Sequence, residues 1–191
     1  MKTRTLSTFV LSGLMCFLSS TQAFAAPPTP TVTSPGANGA KTFVQTFYDW
    51  YAATQQNFKK TMELETVMKK KAADFTAELN KRLNDDIAAQ KKSPDELIGL
   101  DFDPFLSTNS EPYAKYLATK VTQKGDAYLV EVHGVAKGKT LNKATVTPEV
   151  KQIKGKWQFA NFHYGKSEFP ENENLLSVLK VLKKGREEGY D

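Results

Sequence analysis

The chain has 191 residues, 40% of them hydrophobic and 25% charged, which is enough for one domain with its own packed core. Its 26 basic and 21 acidic residues give a formal charge of +5; without Lys2 and Arg4 the balance is 24 against 21, or +3, too mild an excess to point to nucleic acid. The one cysteine, Cys16, lies near the start, so the rest of the chain can form no disulfide and offers no cysteine nucleophile.

Residues 1–25 have the layout of an export signal: Lys2 and Arg4, then a mostly apolar run from Leu6 to Leu18, then the small residues of Ala23-Phe24-Ala25. Cleavage is expected after Ala25, with the product exported to the periplasm or secreted. A bilayer span needs about 20 apolar residues, and Ser12, Ser19, Ser20, Thr21 and Gln22 shorten this run, so no stable membrane insertion is expected after cleavage. Met15 before Cys16 argues against lipid attachment, which wants a small residue there. Residues 26–40, "APPTPTVTSPGANGA", hold four prolines, two glycines and no charge, and read as a disordered linker.

From Lys41 the pattern becomes helical. Phe43, Phe47, Trp50 and Tyr51 recur at spacings of three and four and form a broad aromatic face. A second apolar stripe runs from Leu64 through Val67, Met68, Phe75, Leu79 and Leu83 to Ile87, as one long helix or two with a bend. Ser93-Pro94-Asp95-Glu96 carries capping chemistry and predicts a short helical turn ending near Gly99. The period then shortens. Runs near 114–122, 127–135, 144–153 and 156–163 are rich in β-formers and separated by Lys124-Gly125-Asp126, Lys137-Gly138-Lys139 and Lys154-Gly155, which predicts an antiparallel meander. Asn174 to Lys184 forms a closing helix with Gly185 just beyond. The expected fold is α+β, with N-terminal helices packed on a four-stranded antiparallel sheet, one domain over 41–185 and a flexible tail over 186–191.

Several chemistries are excluded. Gly134-Val135-Ala136-Lys137-Gly138-Lys139-Thr140 is one residue short of a phosphate-binding loop and is followed by a strand rather than a helix. His133 and His163 are the only histidines, sit two strands apart and have no cysteine to complete a metal site, although either could act alone as a general base. No Gly-x-Ser-x-Gly elbow is present. A calcium loop beginning at Asp101 would put Leu106 where glycine is needed and Pro112 at the bidentate position.

"GLDFDPFL", residues 99–106, has two readings. In an extended segment Asp101 and Asp103 point to the same side and could form an acid/base couple. Alternatively Asp103, held extended by Pro104, accepts backbone amides two residues on, while Phe102, Phe105 and Leu106 turn inward to pin a corner.

"FVQTFYDWY" at 43–51, "LDFDPFL" at 100–106 and "GKWQFANF" at 155–162 resemble exported bacterial domains of unknown function in the nuclear transport factor 2-like superfamily. The resemblance covers residues 41 to about 182 and implies a cone, a curved antiparallel sheet around a long helix with an open mouth. That superfamily hosts ketosteroid-isomerase-like enzymes, dehydratases and many noncatalytic binders. No catalytic residue carries over, because no motif places an acid against a tyrosine. The expectation is therefore a noncatalytic binding domain without cofactor or metal, its partner an envelope protein, a cell-wall fragment, a small ligand or a toxin, with a homodimer also open. Tyr48, Tyr51, Asp101, Asp103 and Phe105 are the candidate ligand- or partner-binding residues. The competing expectation is a cofactor-free isomerase, dehydratase or hydrolase using Asp101, Asp103, Tyr51 and His133.

Overall fold

The computed structural model describes residues 35–56, 64–107 and 112–189, so the expected signal segment and most of the expected linker lie outside the described residues. In chain order it contains α1 (Pro35–Gln56), α2 (Leu64–Lys71), a short 3-10 turn (Ala72–Asp74), α3 (Ala77–Lys92), β1 (Tyr116–Lys124), β2 (Ala127–Ala136), β3 (Lys139–Thr140), β4 (Thr147–Ile153), β5 (Lys156–His163), a second 3-10 turn (Pro170–Glu173) and α4 (Leu175–Glu188). The fold is α+β, as the change of period implies.

The aromatic helix begins earlier than its composition suggests. Pro35 opens α1, and Ala37 and Ala40 are buried, so residues 35–40 belong to the domain rather than to the linker. Their smallness has a packing cause. A Cβ on Gly39 would lie 2.8 Å from Trp157 Nε1, and one on Gly36 would strike the Tyr128 hydroxyl. Small side chains here let the helix lie flush against the Tyr128–Trp157 edge-to-face pair.

Further along α1, Phe47 sits at the centre of the core. Its ring stacks on Tyr51 at a centroid distance of 5.7 Å and meets Phe75, Phe105 and Phe159 edge-on at 6.2, 5.6 and 4.8 Å. The sheet side of this core is Tyr116, Val130, Val132, Val146, Val150, Phe159 and Phe162, all buried.

The second helical stretch is two helices with a break. The apolar stripe runs through the break because Phe75, though buried, is extended, bridging Phe159 on β5 while the Thr76 amide donates to the Phe159 carbonyl at 2.9 Å. Thr76 then caps α3 through the Leu79 amide.

The sheet order is β1-β2-β4-β5, with β3 paired to β2 and every pairing antiparallel. It therefore has five strands rather than four. The added strand is the short return of a hairpin whose turn residues Lys137 and Gly138 both have positive φ, at 50° and 76°. Lys154 and Gly155 repeat that geometry between β4 and β5. Both sheet edges are partly covered. Gln45 of α1 donates to the Tyr116 carbonyl and accepts from the Ala118 amide on β1, and Gln158 on β5 donates to the Ala73 carbonyl.

Two other expectations are corrected. The short turn expected to end near Gly99 is confined to one hydrogen-bonded turn just past the Ser93 cap of α3, where the Glu96 amide donates to the Ser93 carbonyl at 3.2 Å, and Gln90 organises what comes next. The Gln90 amide nitrogen donates to the Ser93 and Glu96 carbonyls, and its oxygen accepts from the Ile98 and Gly99 amides. The closing helix runs through Gly185 to Glu188, so Arg186 is not part of a tail. Arg186 donates to Asp86 Oδ1 at 2.7 Å and to the Ile98 carbonyl at 2.8 Å, with both charged side chains largely buried.

Candidate functional site

The Asp-Pro-Phe-Leu string forms a corner held by its own acid. Asp103 Oδ1 accepts from the Phe105 amide at 2.9 Å and the Leu106 amide at 3.1 Å, and the Asp103 carbonyl accepts from the Ser107 amide at 2.8 Å. Pro104 favours the extended approach that makes this possible. Three phenols then tie the corner to the body. Tyr51 donates to Asp103 Oδ2 at 2.6 Å, Tyr48 to the Phe105 carbonyl at 2.7 Å and Tyr164 to the Pro104 carbonyl at 3.0 Å.

Burial sets the electrostatics here. Asp103 is 6% exposed, and loss of solvent pushes its carboxyl up to about 6, against the opposing pull of the Tyr51 and amide hydrogen bonds. Burial likewise raises the phenols of Tyr48 and Tyr164, and Asp103 nearby adds to that rise.

Of the five expected binding residues, Tyr48, Tyr51, Asp103 and Phe105 are therefore brought together, but inside the core. Tyr48, Tyr51 and Phe105 are no more than 1% exposed. Asp101 is separated from them: it is exposed, and it lines a surface hollow of about 440 Å³. The alternation that would put both aspartates on one side fails because Asp103 turns inward to cap the corner.

Among the expected catalytic groups, only Tyr51 and Asp103 meet. His133 lies on β2, where its Nδ1 donates to the Leu141 carbonyl at 2.8 Å, with Nε2 3.5 Å from Glu131. His163, on β5 beyond the intervening β4, pairs with Glu149 at 3.0 Å. Among the described residues, no group of three or more His, Cys, Asp or Glu side chains could hold a metal ion, and no helix is long and apolar enough to cross a membrane.

The hollow lies between the segment 97–107 and α4. Leu100 and Phe102 form one side, Val178, Val181 and Leu182 the other, with Tyr164, Asn172 and Ser107 also on the lining. Phe102 meets Tyr164 edge-to-face at 5.5 Å. Ser107 has φ 54°, a left-handed conformation uncommon for serine, at the point where the corner ends. Sequence reasoning missed Tyr164 and the α4 wall. Tyr164 sits one residue beyond a correctly placed strand, and nothing local marks its hydroxyl as the partner of a carbonyl 60 residues away.

Set beside known protein families, curated proteins and solved structures, the chain matches none.

Proposed function

We propose that this is an exported, noncatalytic binding domain whose ligand occupies the hollow between the 97–107 segment and α4. The observation that carries the reading is the use made of buried acid. The two buried carboxylates among the described residues are Asp103 and Asp86. Asp103 is engaged by two amides and a phenol, and Asp86 by Arg186 and the Leu100 amide. Both are thereby tied into holding the fold, whereas the hollow presents uncovered apolar surface with a few polar groups, the usual make-up of a small-molecule site. Membership of the nuclear transport factor 2-like superfamily, and a cone shape for the sheet, belong to the same proposal. The helices-then-meander order and the three shared motifs support them.

Export is tested by fusing residues 1–40 to a reporter active only outside the cytoplasm and sequencing the N-terminus of the product; a start at Ala26 supports it, and an uncleaved cytoplasmic product defeats it. Binding without turnover is tested by native mass spectrometry of the purified protein before and after incubation with its co-purifying ligand. Recovery of that ligand unchanged is the expected result.

One observation favours the competing enzyme: a carboxyl pushed up to about 6 beside a phenol at 2.6 Å is a combination suited to proton transfer near neutral pH. That reading requires Tyr51→Phe to abolish turnover of a substrate bound next to the corner.

A further inference from the structure

We propose that the hollow is a site for small cationic amphiphiles, molecules with an apolar chain or ring of modest length carrying an ammonium-type group. The proposal rests on the binding-domain reading and adds the chemical class of its ligand.

The apolar half of the argument is unspent surface. Val181 is 48% exposed and Leu97 is 74% exposed, both on the lining with Leu100, Phe102 and Val178. Covering that surface removes it from water, which is the general driving force for seating an apolar body. A volume of about 440 Å³ is suited to a small molecule.

The charge half comes from Asp101. It is the one acidic side chain on the lining, it is exposed, and among the described residues it makes no hydrogen bond or ion pair. No basic side chain of α4 is on the lining. At about 100° per residue, Lys180 lies about 200° around the helix from Val178 and Lys183 about 140°. Lys183 and Lys184 also already face Glu187 and Glu188 at 3.5 and 3.4 Å. The stretch that supplies Asn172 to the lining, Gly165 to Glu173, carries Glu168, Glu171 and Glu173 against Lys166 alone. The lining thus carries one acid, Asp101, and no basic side chain over an apolar floor, which favours a cationic head and disfavours a carboxylate or sulfate.

The test titrates the full chain with n-octylammonium, n-octanol and n-octanoate, following the methyl resonances of Val178, Val181 and Leu182 together with the heat of binding. The expected result is saturable binding of octylammonium, about fivefold tighter than octanol, as one partly solvated ion pair provides. Octanoate should be weakest, and added salt should narrow the gap. Asp101→Asn should erase the preference for octylammonium over octanol, and Val181→Arg should abolish binding of all three; both positions are exposed, so both variants should fold. Octanoate binding as well as octylammonium overturns the charge class but leaves the binding-domain reading standing. Failure of every probe to saturate, or indifference to Val181→Arg, overturns the hollow as a site. Self-association abolished by Val181→Arg would assign the face to a second copy, which also overturns the proposal. Chemical conversion of a probe would instead sink the noncatalytic reading.

Discussion

Asp103→Asn isolates the electrostatic cost of the buried corner. Asparagine keeps an oxygen for the Phe105 and Leu106 amides and a polar group facing Tyr51, but it does not titrate. In the wild type the carboxyl is raised from 3.8 to about 6, so the folded state holds the proton more tightly than the unfolded state. Its stabilising contribution is therefore complete below 3.8 and is lost as pH rises through about 6. At about 1.4 kcal/mol per tenfold, the difference corresponds to about 3 kcal/mol when complete, of which about 2 kcal/mol develops between pH 7 and pH 4. The assay is urea unfolding of both proteins at half-unit steps over that range, read as the difference in unfolding free energy. Subtraction removes groups common to both, including the half-buried Glu65, which Lys69 and Lys91 hold down to about 2 and which acts in the opposite sense. Wild type should gain on the variant by about 2 kcal/mol as pH falls from 7 to 4. Parallel profiles would refute the reasoning. A reversed slope would show that the two amides and the Tyr51 hydroxyl outweigh desolvation.

Asp103→Ala leaves the Phe105 and Leu106 amides and the Tyr51 hydroxyl without their acceptor, and should lower the thermal midpoint through a loss of about 1–3 kcal/mol; an unchanged midpoint would overturn the corner assignment. Asp86→Ala strands the buried Arg186 guanidinium and should cost about 3–5 kcal/mol in urea unfolding, while the double replacement Asp86→Leu with Arg186→Met should cost less than the single change. Phe47→Ala removes the ring that joins α1 to Phe75, Phe105 and Phe159 and should cost about 3–5 kcal/mol by the same measurement. In an exposed helix Gly39→Ala would gain about 1 kcal/mol, but here the new methyl meets Trp157, so the melting midpoint should fall rather than rise.

The sequence by itself determined whatever depends on neighbours along the chain. Alternating β-formers between Lys-Gly turns placed β1, β2, β4 and β5 within a few residues, because a hairpin's register follows from its own turn. The aromatic spacing of α1 and the Asp-Pro corner were equally legible, since i to i+4 packing and an acid capping amides two and three residues on are local events.

What tertiary structure alone decided involves partners far apart in sequence. Pro35 to Ala40 look like linker until Tyr128 and Trp157 supply the surface that small residues fit. Phe75 breaks a periodic helix because β5 offers it a bridge. Gln90 captures the chain that capping chemistry would have wound into a helix, and Arg186 crosses to Asp86, 100 residues away. The division of the two aspartates, one buried as a structural acid and one exposed at the hollow, follows from Tyr51, Tyr48 and Tyr164 converging on the corner. Each of these contacts exchanges chain entropy for burial or hydrogen bonding with a distant group, and the balance is fixed only when the sheet brings that group within reach.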